Sequence, residues 1–318
     1  MTSQRRFFKK ASFNLLLIIV FALCGTANAA KQLTISTGSI GGAYYPIGTG
    51  IASIVSKSNA GIRLTAEVSG GALENCRLID KNYSDFAITN ADIVYFAHSG
   101  TVRFKKKLNV VAVGALHEST FQIVTLPKTG IKSVKDLKGR PVSMAQVGSG
   151  SENCMGVVLR AHGMSIKDVV RNHMNHSAAA DALKDGRIDA MAILAGRPTG
   201  ALVELRTARK FEIVKIDTAV LDKLVKEYPY YVKSTVAAST YKLDDDYDTL
   251  SVRNILITNP STDAEYVYTV AKVLYESLEK LLHFHKAASQ ISLEKAPQVP
   301  VPLHPGAIKF YKEKGLIK

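Results

Sequence analysis

The stretch T-G-S-I-G-G-A-Y-Y-P-I-G-T-G over residues 37–50 sets the reading of this chain. It follows a short apolar run, Leu33 to Ser36, and leads into a segment with Ile47, Ile51, Ile54 and Val55 on one helical face. Gly38, Gly41 and Gly42 let the backbone turn tightly and approach another group closely. Pro46 suits a first helical turn, where its missing N–H costs nothing. The remaining N–H groups of that turn point at whatever occupies the loop, a seat for a carboxylate or another anion. Read alone, the stretch is equally an ordinary strand–turn–helix connection.

A second loop repeats the logic. Residues 141–145 are strand-like and deliver the chain to Gly148-Ser149-Gly150-Ser151, with a helix expected from Glu152 to about His162. Glycines permit close approach, serines supply hydroxyls, and a helix start supplies oriented N–H groups. No Gly-Lys-Ser/Thr closes this loop and no G-x-G-x-x-G occurs in the first, so nucleotide phosphates and dinucleotides are not implied.

Between and beyond these loops, strand and helix patterns alternate. Ile62, Leu64, Ala66 and Val68 alternate with polar residues, and the run ends at Ser69-Gly70-Gly71, where Ser69 is a candidate helix cap. Residues 85–89 form a short strand ending at Asn90-Ala91-Asp92, and residues 109–126 are strand-prone throughout. Further strands are expected over 169–174, 188–194, 211–216, 235–238 and 252–258. Helices are expected over 178–185, 199–207 and 219–227. The longest helix, capped by Ser261 or Thr262, carries an apolar stripe of Val267, Val270, Ala271, Leu274, Leu278 and Leu281. Strand after strand ends in Gly, Ser, Thr or Asn, which in an open parallel sheet is where ligands bind.

At 318 residues, 47% hydrophobic and 21% charged, the chain is long enough for two α/β domains. The formal charge of +14 raises nucleic acid as a partner, but Arg5, Arg6, Lys9 and Lys10 crowd the first ten residues. Elsewhere only Lys105–Lys107 forms a tight run, which a solvated loop explains better than a nucleic-acid surface. The basic start, the apolar run over 15–23 and Ala27-Asn28-Ala29 read as an export signal covering residues 1–29. The run is too short to span a bilayer, which takes about 20 residues. Arg5-Arg6 also resembles a twin-arginine signal, although the apolar core favours the general secretory route; Leu23 makes Cys24 a poor lipidation site. A periplasmic location is expected. After cleavage Cys76 and Cys154 remain and are expected to be free, buried thiols.

Six stretches in order resemble the TAXI family of extracytoplasmic solute receptors, which serve tripartite ATP-independent periplasmic (TRAP) transporters. They are T-G…G-A-Y-Y-P-I-G from Thr37, S-G-G-A-L-E-N from Ser69 and V-K-D-L-K-G-R from Val134, then G-S-G-S-E-N from Gly148, D-G-R-I-D-A from Asp185 and L-H-P-G-A from Leu303. No single stretch is specific; the ordered set is. The resemblance implies an α/β periplasmic binding-protein fold (type II-like) with two domains and a ligand cleft. Domain one would hold residues 30–121 plus 235–318 and domain two residues 122–234. The crossing strands would place a hinge at Gln122, Ile123, Val124, Thr235 and Val236.

Family and loop chemistry together put a small carboxylate, such as glutamate or 2-oxoglutarate, between the two loops. Gly38, Ser39 and Gly41 would contact it from one side, with Tyr44, or alternatively Tyr45, stacking or hydrogen bonding. Ser149, Gly150 and Ser151 would hold a carboxylate from the other side. Asn90 and Asp92 would read a polar or amino group, and Arg197 would supply a cation. Each has a plainer reading: Asp92 as a helix cap, the tyrosines as core, Arg197 as a solvated side chain. His173, His176, His283 and His285 make no case for metal or catalysis, and neither Ser149 nor Ser151 sits in a nucleophile elbow. No cofactor, no metal and no enzymatic activity are expected. The partners expected are a small carboxylate and TRAP membrane subunits, with the receptor a monomer. A sensor subunit feeding a signalling kinase is the alternative.

Overall fold

The computed structural model describes residues 30–228 and 230–318. The export signal read at residues 1–29, with Cys24, lies outside the described residues. From Gln32 to Lys318 the chain forms one compact unit.

The first strand, β1 (Lys31–Ser36), runs through the loop into α1 (Tyr44–Lys57), which buries Ile47, Ile51, Ile54 and Val55. That i, i+4, i+7, i+8 spacing is one face of a helix. Strand β2 (Ile62–Glu67) buries Ile62 and Leu64 and exposes Arg63 and Thr65, the alternation of a half-covered strand. Next come α2 (Ala72–Asp80), the fully buried β3 (Phe86–Asn90) and α3 (Ala91–Ser99). The long β4 (Val111–Thr125) leaves this lobe. The second lobe contains β5 (Pro141–Ser143), α4 (Gly150–Ala161), β6 (Val170–Asn172), α5 (His176–Asp185) and β7 (Ala190–Ala195). It continues with α6 (Gly200–Ala208), β8 (Glu212–Ile213) and α7 (Thr218–Glu227). After β9 (Tyr231–Val236), β10 (Tyr247–Thr258) returns the chain to the first lobe. There α8 (Ala264–Tyr275), the single turn α9 (Leu278–Leu281) and α10 (Pro305–Glu313) finish it.

Among the described residues the strands form one mixed sheet in the order β2-β1-β3-β10-β4-β7-β5-β6, with β8 beside β4 and β9 beside β10. Strand β4 is antiparallel to β10 over Val111–Thr120 and to β7 over Thr120–Thr125. Thr120 pairs with both Ser251 and Ala195, so it marks the crossing between lobes. Gln122, Ile123 and Val124 pair with β7, on the second-lobe side of that crossing. The second crossing strand is β10; Thr235 and Val236 lie on β9, paired with its opening residues Asp248 and Tyr247. A core around Ile35, Ile51, Val267 and Phe310 backs the first lobe, and one around Leu183, Ile193 and Leu202 backs the second. A third core runs beneath both, from Cys76 and Ile93 to Met155 and Leu159.

Several element bounds differ from the sequence reading. The apolar stripe running to Leu281 is not one helix: α8 stops at Tyr275 because Ser277 leaves helical dihedrals (φ −130°, ψ 29°), and α1 is the longer helix. Asp263, not Ser261 or Thr262, caps α8 by accepting the Glu265 N–H at 2.8 Å. Ser69 does not cap α2. Gly71, at φ 97°, takes that place, and Ser69 Oγ hydrogen bonds Asn75 Oδ1 at 2.6 Å. Residues 211–216 contribute only the two-residue β8, which pairs with Val124 and Thr125 of β4 before Lys215 bridges to Ser133. Ala238, expected to close a strand, instead opens the 3-10 turn Ala238–Thr240.

Candidate functional site

The helix starts are the key to the cleft. Residues at the N-termini of five helices line one small cavity between the lobes: Ala43 and Tyr44 of α1, Gly71 and Ala72 of α2, Asn90 capping α3, Ser149–Ser151 of α4, and His176 of α5. Gly38, Ser39, Gln146, Leu194 and Ala195 complete most of its wall. No Lys, Arg, Asp or Glu side chain is among the lining residues. Each strand feeding these helices ends at the same rim, because parallel strands present their carboxyl ends together. The first N–H groups of every helix lack intrahelical acceptors. Five positive helix ends therefore face one volume, and an anion is the species they favour.

Ser149 caps α4, its Oγ accepting the Glu152 N–H at 3.2 Å, which leaves the Gly150 and Ser151 N–H groups at the open helix end. The helix starts at Gly150, two residues earlier than expected. Glu152 is in the same first turn and accepts the Gly148 N–H at 2.8 Å and Arg103 Nη1 at 2.7 Å. Burial opposes its charge, but those two donors, with His173 Nε2 at 3.1 Å, hold its carboxyl below the usual range. Its negative charge braces the loop from behind and offsets part of the helix field.

Behind the lining residues Tyr44 and Asn90 is a hydrogen-bonded node at Asn254. Its Oδ1 accepts the Tyr44 hydroxyl at 2.7 Å, Asn90 Nδ2 at 2.9 Å and the Ser119 hydroxyl at 3.1 Å. Its Nδ2 donates to the His117 carbonyl at 2.8 Å. The β10–β4 register shifts between Arg253 and Ile255, so this side chain makes the bond the ladder cannot. Tyr44 is half-buried by area, yet its hydroxyl end is sunk, and burial pushes its pKa well above the ordinary phenol value.

The predicted residues fall into two groups. Gly38, Ser39, Tyr44, Asn90, Ser149, Gly150 and Ser151 line the cavity. Gly41 sits at its edge with φ +91°, and a Cβ there would collide with the Ser177 hydroxyl of the facing lobe. Tyr45, Asp92 and Arg197 are not among the lining residues. Tyr45 is partly exposed on α1. The Asp92 carboxylate is fully buried behind the cavity, accepting Asn153 Nδ2 at 2.9 Å and the Tyr231 hydroxyl at 3.2 Å. Burial pushes its pKa up to about 6, against opposing hydrogen bonds. The Arg197 guanidinium turns away to the Thr235 carbonyl at 3.1 Å. His176, Gln146, Gly71 and Asn254 escaped the sequence reading. Asn254 alone carried a visible signal, as a polar residue inside the apolar run Val252 to Ile257.

The lobes touch across the cleft. Leu73 N–H donates to the Gly148 carbonyl at 3.3 Å and Ala201 N–H to that of Gly41 at 3.3 Å. A Cβ on Gly150 would collide with Asn90 Oδ1. The cavity left between them is about 50 Å³, room for a few water-sized groups. Of two larger hollows, the one of about 420 Å³ beside Lys132 and Phe211 includes none of these five helix starts, and the one of about 430 Å³ beside Tyr230 and Arg253 touches only one of them, at Ala91. Size alone would favour those; converging donors favour the cleft. Cys76 and Cys154 are free and buried, and burial drives the Cys76 thiol up to about 12, which keeps it unreactive. Among the described residues no group of three His, Cys, Asp or Glu could hold a metal ion, and no helix is long and apolar enough to cross a membrane. Ser151 Oγ and His176 Nε2 stand 3.3 Å apart, but nothing among the described residues orients His176 Nδ1. A nucleophilic triad needs that third group.

Two α/β lobes joined by β4 and β10, with helix starts facing a shared cleft, define the fold of the periplasmic binding proteins. Solved structures carry the same fold. MatC from Rhodopseudomonas palustris with bound malate aligns with TM-score 0.57 at 15% identity, over 89% of this chain and 96% of its own. The periplasmic binding protein BugD aligns with TM-score 0.57 at 13% identity, over 90% and 98%. A binding component of an ABC phosphonate transporter from Pseudomonas aeruginosa aligns with TM-score 0.52 at 10% identity, over 83% and 80%. Residues 35–315 match the model of the NMT1-like family, and the chain belongs to that family.

Proposed function

We propose that this protein is an exported solute-binding receptor that captures a small carboxylate, with glutamate and 2-oxoglutarate as the leading class. It delivers the ligand to TRAP membrane subunits, as the TAXI resemblance implies. The observation that carries the reading is the meeting of five helix N-termini on a cavity lined by no charged side chain. Each such terminus contributes about 0.3–1 kcal/mol to a bound anion when exposed and up to ~2 when partly buried. Several together, with charge-assisted hydrogen bonds, reach the roughly −8 kcal/mol of micromolar binding.

The ligand acts by differential affinity. Lobes of residues 30–121 plus 235–318 and of residues 122–234 would hinge near Gln122–Val124 and Thr235–Val236. A ligand touching both faces then favours the closed form, which presents the surface the membrane partner reads. Periplasmic delivery rests on the export signal at residues 1–29.

Mass spectrometry of ligand released from the purified protein tests this, followed by calorimetry with L-glutamate, 2-oxoglutarate and malate. Neutral sugars and cationic amines serve as controls. Micromolar binding confined to the acids is the expected result. A neutral or cationic ligand in the cleft sinks the proposal.

A further inference from the structure

We infer that His176 is a ligand-contact residue whose Nδ1–H donates a hydrogen bond to an acceptor atom of the bound molecule. This rests on the carboxylate reading of the cleft and deepens it. His176 opens α5, after Asn175 has capped the helix by accepting the Ala178 N–H at 2.8 Å. It lines the cavity while only 9% exposed.

Its two nitrogens are in different situations. Nε2 is 3.3 Å from Ser151 Oγ, and that same oxygen accepts the Leu194 N–H at 2.8 Å. A serine hydroxyl has one proton to give. In the pairing where Oγ, already accepting from the backbone, gives its one proton to Nε2, the hydroxyl serves as donor and acceptor at once and Nε2 is the acceptor. In that pairing the neutral ring carries its proton on Nδ1. Burial pushes the pKa of His176 down to about 4, so the neutral ring is the form at pH 7. Nδ1 is sealed from solvent and has no partner among the described residues. Across the cleft it faces Gly42, where even an added Cβ would lie 3.3 Å away and where no side chain offers an acceptor. A buried donor left without an acceptor is costly, and a ligand oxygen entering between the lobes removes that cost.

Lacking partners is not sufficient by itself. His117 is also buried with both nitrogens unpartnered, but it is not among the cavity-lining residues and packs edge-on against Tyr44 at 6.1 Å. His176 differs in lining the cleft and in having the Ser151 hydroxyl beside its other nitrogen.

Two measurements test the inference. In ¹⁵N-histidine spectra of the mature chain, with His176 assigned by its loss in His176→Asn, the ring proton is expected on Nδ1 before any ligand is added. Calorimetry with L-glutamate and 2-oxoglutarate should show His176→Phe weakening binding roughly 10- to 100-fold, the worth of a hydrogen bond to a charged acceptor. His176→Asn, which keeps an N–H near the Nδ1 position, should stay within about threefold by the same reasoning. A proton on Nε2, or His176→Phe binding as tightly as the natural chain, overturns the inference. A proton on Nδ1 with neither acid bound by the natural chain counts against the carboxylate reading and still supports the donor assignment.

Discussion

Arg103 Nη1 lies 2.7 Å from Glu152 Oε2 and joins the two lobes, the arginine following α3 and the glutamate in the first turn of α4. The carboxylate is 5% exposed and the guanidinium 34%, and the same Oε2 accepts the Gly148 N–H of the loop before α4. The pair thus ties closure to the shape of that loop. Half-exposed ion pairs contribute about 1 kcal/mol or less. Arg103→Gln should therefore speed release of bound acid about fivefold, with more effect at low salt. An unchanged dissociation rate in a chase with labelled acid would remove Arg103 from the closing mechanism.

Gly150 stands at a close approach of the lobes, since a Cβ there meets Asn90 Oδ1. Gly150→Ala fits the helix and the open form, and obstructs closure. Ligand affinity should fall at least about tenfold, equivalent to ~1.4 kcal/mol, while the thermal midpoint of the ligand-free protein stays close to that of the natural chain. Equal losses of affinity and midpoint would point to local misfolding instead.

Asn254 and Tyr44 should separate in equilibrium unfolding. Tyr44→Phe removes one donor from Asn254 Oδ1, which keeps Asn90 and Ser119, so the cost should be about 1 kcal/mol. Asn254→Ala orphans the Tyr44 hydroxyl, Asn90 Nδ2 and the His117 carbonyl together. That should cost about 2–4 kcal/mol, because each stranded buried group carries its own desolvation penalty. Similar losses in urea titrations would mean Asn254 is not the node.

Asp92 predicts a pH signature. Burial raises its folded pKa to about 6, above the ordinary carboxyl value near 4. The folded state thus binds the proton more tightly than the unfolded state between those values. The contribution is fully present below about pH 4 and is lost as pH rises through about 6. His117 and His176, both pushed down by burial, work in the opposite direction, losing stability as pH falls below the ordinary histidine value. The difference between Asp92→Asn and the natural chain isolates the aspartate. The variant should gain about 2–3 kcal/mol relative to the natural chain between pH 4 and 7. A constant difference across that window would refute the assignment.

Much of the fold was legible in local pattern. The alternation over Ile62–Glu67 and the face Ile47, Ile51, Ile54, Val55 depend only on backbone period and water exclusion, so they appear in sequence as they do in space. The glycine and serine loops at Gly38–Ser39 and Ser149–Ser151 were legible for the same reason, as turn and cap chemistry is local. Arg197 and Asp92 illustrate the limit. Each stands beside a strand end in sequence, yet one guanidinium turns to Thr235 and the other side chain sinks beneath the cleft to Tyr231.

The sequence by itself determined the alternation of strands and helices, the two glycine-rich helix starts, and a chain built for an α/β fold. Those features follow from short-range sterics and hydrophobic period. Only the tertiary structure decided that five helix starts share one cavity, that Asn254 mends a bulge beneath it, and that Ser151 Oγ meets His176 Nε2. Partners such as Tyr44 and Asn254 are separated by 210 positions, and distances of that kind are set by how the sheet crosses between lobes. The loop at residues 37–50 supplies one wall of that cavity, and the topology supplies the rest.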